Sequence, residues 1–147
     1  MADLTIYLNE KITLDGNDRG VLTTQTISGI NNIDNRILSI PTGSYTGLFK
    51  FDPSNIDAGV FLTSSFKYGR ITNKSSIPVQ LLVNTMSGSI SSSISFIVNS
   101  SSSFLLSTTA VTGSNPGNVF VFNQYINLIS VLPSSSSAVV EYFIATT

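Results

Sequence analysis

The chain has 147 residues, enough for one domain with a real core, and only 10% of them are charged, against a usual share of about 25%. A net charge of −1 gives no electrostatic footprint for nucleic acid or anionic lipid. The absence of His, Cys and Trp removes the commonest general base, every thiolate or disulfide, and the usual sugar-stacking ring.

Met1-Ala2-Asp3 opens without a basic or long apolar segment, so no secretion signal is expected, and no apolar run reaches the length of a membrane helix. Leu4, Ile6 and Leu8 alternate with Thr5 and Tyr7 and predict a strand, turned at Asn9-Glu10 and resumed at Ile12 and Leu14. Asp15 to Gly20 is a loop of residues that tolerate unusual backbone angles. Val21 to Ile27 is Thr-rich and β-prone, Gly29 to Asn35 reads as a turn region, and Arg36 to Ile40 is a strand stopped by Pro41-Thr42-Gly43. Tyr45 to Phe51 follows, then a turn at Asp52 to Asn55 and a strand over Gly59 to Thr63.

Phe66 to Val83 reads as a β-hairpin, with turn chemistry at Asn73 to Ser76. It is also a watershed. Every Lys and Arg lies at or before Lys74, and beyond it the only charged side chain is Glu141. Further strands are expected over Ile94 to Val98, Phe104 to Leu106 and Ala138 to Ala145. Val119 to Val131 is one bent strand or two, and Thr112 to Asn118 is a turn or exposed loop. No stretch has a helical period. The spacing predicts an all-β, single-domain antiparallel β-sandwich over residues 1–147, jelly-roll-like, with eight to ten short strands.

Few residues carry chemistry. Asp15 to Gly20 resembles the start of an EF-hand loop, but Arg19 and Thr26 replace two needed oxygen ligands, so a plain β-turn is expected. Seven of the eight carboxylates lie at strand ends or turns. The eighth, Glu141, lies in an apolar strand, where Lys67 or Arg70 could pair with it. A hydrolase would need Glu141 beside an Asp with a raised pKa. No catalytic residue, cofactor or metal is therefore expected. The Asn73 and Asn99 sequons read as chance matches.

A surface so poor in charge can be covered at little desolvation cost. Part of the second half is therefore expected to pack on identical subunits or a larger scaffold; a monomer with a wet, Ser/Thr-rich sheet face is the alternative. Edge strands at the termini, Ala2 to Leu8 and Val139 to Ala145, are the expected docking segments, with Leu4, Ile6, Leu8, Val139, Tyr142 and Ile144 as interface residues.

Ile27 to Gly43, Phe66 to Val83 and Ser136 to Thr147 together resemble small β-sandwich structural proteins of tailed bacteriophages, of the head-decoration or auxiliary-capsid type. The resemblance implies a non-enzymatic homo-oligomer, most often a trimer, on the virion's capsid surface, made in the host cytoplasm and bracing the major capsid protein. Neither nucleic acid nor membrane is an expected partner. A receptor- or carbohydrate-binding tip or fibre module has the same strand grammar.

Overall fold

The computed structural model describes residues 1–52, 57–87, 90–107, 112–115, 118–121 and 126–147. Fifteen strands occur among them, more than the eight to ten expected, because several have two to four residues. In chain order they are β1 (Ala2–Glu10), β2 (Thr13–Leu14), β3 (Asn17–Asp18), β4 (Val21–Ile30), β5 (Asn32–Ile40), β6 (Thr46–Asp52), β7 (Val60–Leu62) and β8 (Phe66–Asn73). Then come β9 (Val79–Ser87), β10 (Ile90–Val98), β11 (Ser103–Ser107), β12 (Thr112–Asn115), β13 (Asn118–Val121), β14 (Ile126–Pro133) and β15 (Ala138–Thr146).

A five-stranded sheet, β10-β9-β14-β6-β7, faces a four-stranded sheet, β11-β8-β15-β5. Eight of these strands pair in a nested way. The first and last, β5 and β15, lie side by side, as do β6 with β14, β8 with β11, and β9 with β10, all antiparallel. This wrap is the jelly roll, and the chain is an all-β sandwich of that kind. One pair departs from the antiparallel expectation: β7 runs parallel to β6. The pairs β1–β4, β2–β3 and β12–β13 form separate two-stranded sheets.

Alternation decides which side chains enter the sandwich. Ile71, Val140, Tyr142 and Ile144 point inward from the four-stranded sheet, and Val79, Leu81, Val83, Ile129 and Val131 from the other, each at most 2% exposed. Each such side chain contributes about 1.5–3 kcal/mol by burial. Rings lock the layers together edge to face: Phe49 meets Tyr142 at 5.4 Å between centroids, and Phe51 meets Phe66 at 4.9 Å. Tyr142 donates its hydroxyl to Asp34 Oδ2 at 3.1 Å. Burial, reinforced by the Asp34 charge, pushes its phenol up to about 12.

Three expected turns have other forms. Asn9-Glu10 lies inside β1, paired with Leu22 and Val21 of β4, and the chain turns farther on. Phe66 to Val83 is not a hairpin. β8 pairs with β11 and β15, whereas β9 pairs with β10 and β14, so the segment arches from one sheet to the other. Gly29 to Asn35 is almost all strand, since β4 runs to Ile30 and β5 resumes at Asn32. Beyond Asp52, the turn expected to end at Asn55 lies outside the described residues.

The arch is held by one buried amide. Asn73, 0% exposed, donates through Nδ2 to the carbonyls of Ile77 (2.7 Å), Val98 (3.1 Å) and Asn99 (3.2 Å), and its Oδ1 accepts from Ser75 N–H at 3.0 Å. Loss of this amide leaves the buried Val98 carbonyl without its donor, at a cost of about 1–3 kcal/mol, and the half-buried carbonyls of Ile77 and Asn99 at a smaller one. Asn73→Ala is expected to destabilise the fold by about 2–3 kcal/mol, and a lower midpoint in urea unfolding at pH 7 checks it.

Candidate functional site

The N-terminal ribbon stands apart from the sandwich. β1 and β4 pair only with each other, from Ala2↔Ile30 to Glu10↔Val21. Beyond Glu10 the ribbon closes through β2 and β3, joined by Asp15 (φ 51°) and Gly16 (φ 77°). Two consecutive left-handed residues make the type I′ turn that fits the twist of a hairpin, and Asp-Gly is a favoured sequence for it. The EF-hand-like loop is therefore a hairpin tip. Among the described residues no group of three or more acids is placed to hold a metal ion. Gly20 is required by close approach, since a Cβ there would lie 2.5 Å from the Glu10 carbonyl oxygen.

Strand alternation gives the ribbon two faces. One carries Leu4, Ile6, Leu8 and Glu10 opposite Ile27, Gln25, Thr23 and Val21. At the root, Ile27 and Ile30 are buried with Tyr68 and Ala145, and Leu4, Ile6 and Phe143 pack against them. The root thus sits on the outer face of the four-stranded sheet, where Tyr68 and Phe143 meet at 6.2 Å. Further out the same face is bare: Leu8 is 51% and Val21 57% exposed. From Tyr7 to the Gly16 tip the ribbon runs about 30 Å at 3.3 Å per residue.

The outer face of the four-stranded sheet continues beyond the root. Ile37, Leu105 and Val139 are exposed there. Among them lies an ion cluster: Arg70 Nη2 donates to Glu141 Oε1 at 2.6 Å and Lys74 Nζ to Glu141 Oε2 at 3.2 Å. The expected Arg70 partner is present; the second base is Lys74, brought in by the arch, and not Lys67. The hydrogen bond from Lys74, opposed by desolvation and aided by Arg70, holds the Glu141 carboxyl below its ordinary value. A general acid would need the opposite shift.

The expected interface residues separate into three groups. Leu8 and Val139 are exposed, and Leu4 and Ile6 are half-buried at the ribbon root. Tyr142 and Ile144 are corrected: at 1% and 0% exposure they belong to the chain's own core. Val139 to Ala145 is likewise no edge strand, because β15 is hydrogen-bonded to β5 on one side and β8 on the other. Among the described residues, β1 has one free edge. The edge strand β10 was not singled out from sequence; Ser91, Ser92, Ser93, Ile94, Ser95, Phe96 and Ile97 are all exposed on it without a charge. The Asn73 sequon is buried and the Asn99 one exposed.

No family model, curated protein or solved structure matches this chain.

The Glu141 cluster sets a pH dependence. A carboxyl with a depressed folded pKa stabilises above its unfolded value and loses that contribution as pH falls through the folded one. Arg70 and Lys74 are 41% and 46% exposed, so solvent and salt screen the effect to about 1 kcal/mol or less. Glu141→Gln is expected to lower the melting temperature at pH 7 by about 2–4 °C and to flatten its fall below about pH 4.5, as read by melts from pH 7 to 3 in low salt.

Proposed function

We propose that this chain is a non-enzymatic structural protein of a virus particle, a capsid decoration or cement protein that oligomerises and braces the head surface against the major capsid protein. The ribbon carries this reading. It is an ordered apolar face that starts buried on its own sheet and runs bare into solvent. A two-stranded hairpin is marginal in water by itself, so one this long implies a partner. The uncharged β10 edge supports the reading too, because free-standing proteins commonly guard such edges with Lys or Pro. Jelly rolls serve in viral capsids and in lectins, and that likeness enters as analogy of fold alone.

A second reading, a carbohydrate-binding tip, rests on one cavity. About 320 Å³ in volume, it is lined by Asn84, Thr85, Ser91, Ser92, Ser93, Asn127 and Leu128. Asn127 Oδ1 is buried and makes no hydrogen bond among the described residues, leaving an acceptor for a hydroxyl. A glycan-array signal abolished by Asn127→Ala supports this reading, and a blank array removes it.

For the leading reading, mass spectrometry of purified particles is expected to find the chain in fixed proportion to the major capsid protein; its absence overturns the proposal. A variant that joins Tyr7 to Thr24 through Asp-Gly keeps the root and removes the projecting ribbon. It is expected to melt with the parent but to occupy particles at least about tenfold less, the equivalent of about 1.4 kcal/mol.

A further inference from the structure

We infer that the projecting ribbon of one copy lies on the outer face of the four-stranded sheet of a second copy, Leu8 and Val21 covering Ile37 and Val139 and Glu10 reaching the Arg70–Lys74 pair. This rests on the assembly reading and names its partner surface.

Three observations lead to a second copy of this chain. The first is continuity. The ribbon face already has a receptor of known chemistry, since Leu4, Ile6 and Ile27 pack at the root on Tyr68, Phe143 and Ala145 of this sheet face. The outer half of the ribbon face repeats that apolar character at Leu8 and Val21. The outer half of the sheet face repeats the receptor's, with Ile37 61%, Leu105 51% and Val139 39% exposed. Both are unpartnered among the described residues.

The second is charge. The projecting ribbon and its tip carry Glu10, Asp15 and Asp18 against Lys11 and Arg19. The receiving face carries Arg70 and Lys74 against Glu141 alone. Each side has a surplus that the other lacks.

The third is register. Leu8 and Glu10 are two residues apart on one ribbon face, about 7 Å along the strand. Val139 and Glu141 have the same separation on β15, both pointing outward. With Leu8 over Val139, Glu10 falls above Glu141, between the Arg70 and Lys74 groups that bond the two Glu141 oxygens. Donor and receiving surfaces differ, so the contact is heterologous and closes into a ring when the rotation between copies allows.

The test places the photo-cross-linking residue p-benzoylphenylalanine at Leu8 in an unlabelled full-length chain, mixed with a uniformly ¹⁵N-labelled copy. Cross-links are expected from the light chain to heavy peptides containing Ile37 or Val139. Ile37→Asp and Val139→Asp, both at exposed positions, are each expected to weaken association in sedimentation equilibrium at least tenfold without moving the melting temperature. Thr24→Asp, on the opposite ribbon face, is expected to leave association unchanged. Cross-links confined to the light chain, or to another surface of the heavy one, overturn the inference. If association nonetheless persists, the assembly reading stands and only this contact falls. A strict monomer at high micromolar concentration overturns the inference and self-assembly together. Copies that cross-link as expected but are absent from particles keep the contact and remove the virion role.

Discussion

The fold depends on how the chain passes from one sheet to the other at Asn73. A jelly roll needs its third and fourth strands in different sheets, and the crossing must bury backbone that belongs to neither ladder. One side chain meets that demand here. Its NH₂ group serves carbonyls from the arch itself and from the end of β10, and its oxygen closes the turn on Ser75. Ser75 then accepts Val139 N–H at 2.6 Å through Oγ and takes the Ser100 hydroxyl on its carbonyl at 2.7 Å. The start of β15, the end of β10 and the arch are thus tied into one knot. Asp would set a negative acceptor against the same carbonyls, Ser is too short to reach three of them, and an apolar residue would leave them dry and unpaired.

The same arch explains where charge is spent. Lys74 is the last base in the chain, and the arch carries it back over the sheet to Glu141, the last acid. After that point, the inward sides of β9, β14 and β15 fill the core and β10 carries serines on an exposed edge. Part of the charge deficit is therefore ordinary burial. The rest is a property of surface: β10 and the face around Ile37 and Val139 present hydroxyls and apolar groups where a solitary protein would place lysines. Such surfaces lose little when covered, because few charges must be dehydrated.

Strand positions were legible because period-2 alternation survives any arrangement of sheets, and a loop within Asp15 to Gly20 because its residues tolerate unusual backbone angles; its two-residue tip at Asp15-Gly16 was not. Pairing was less legible. Phe66 to Val83 has a hairpin's pattern, yet nothing local tells two paired strands from two strands facing each other across a core. Alternation likewise divides Val139, Tyr142 and Ile144 between two faces without saying which is covered. A sandwich interior takes Tyr142 and Ile144, and only Val139 is left outside. Gly29 to Asn35 carried the composition of a turn, but only Asn31 falls outside a strand, where its N–H bonds Thr146 O at 2.9 Å. The parallel pairing of β6 with β7, ten residues apart in sequence, left no signal in the alternation.

The ribbon divides energetically at Ile6. Below it, Ile27 and Ile30 are buried, and each offsets the ordering of its own residue, about 1–2 kcal/mol of backbone entropy. Above it the strands have only each other, and a ladder hydrogen bond contributes about 0.5–1.5 kcal/mol net. Because one bond serves roughly one residue, the outer ribbon lies near the balance between order and fraying, held by its I′ tip and the close contact at Gly20. Small increments therefore decide its state. A surface that covered the exposed parts of Leu8 and Val21 would add more than one such increment, because burial of an apolar side chain contributes about 1.5–3 kcal/mol.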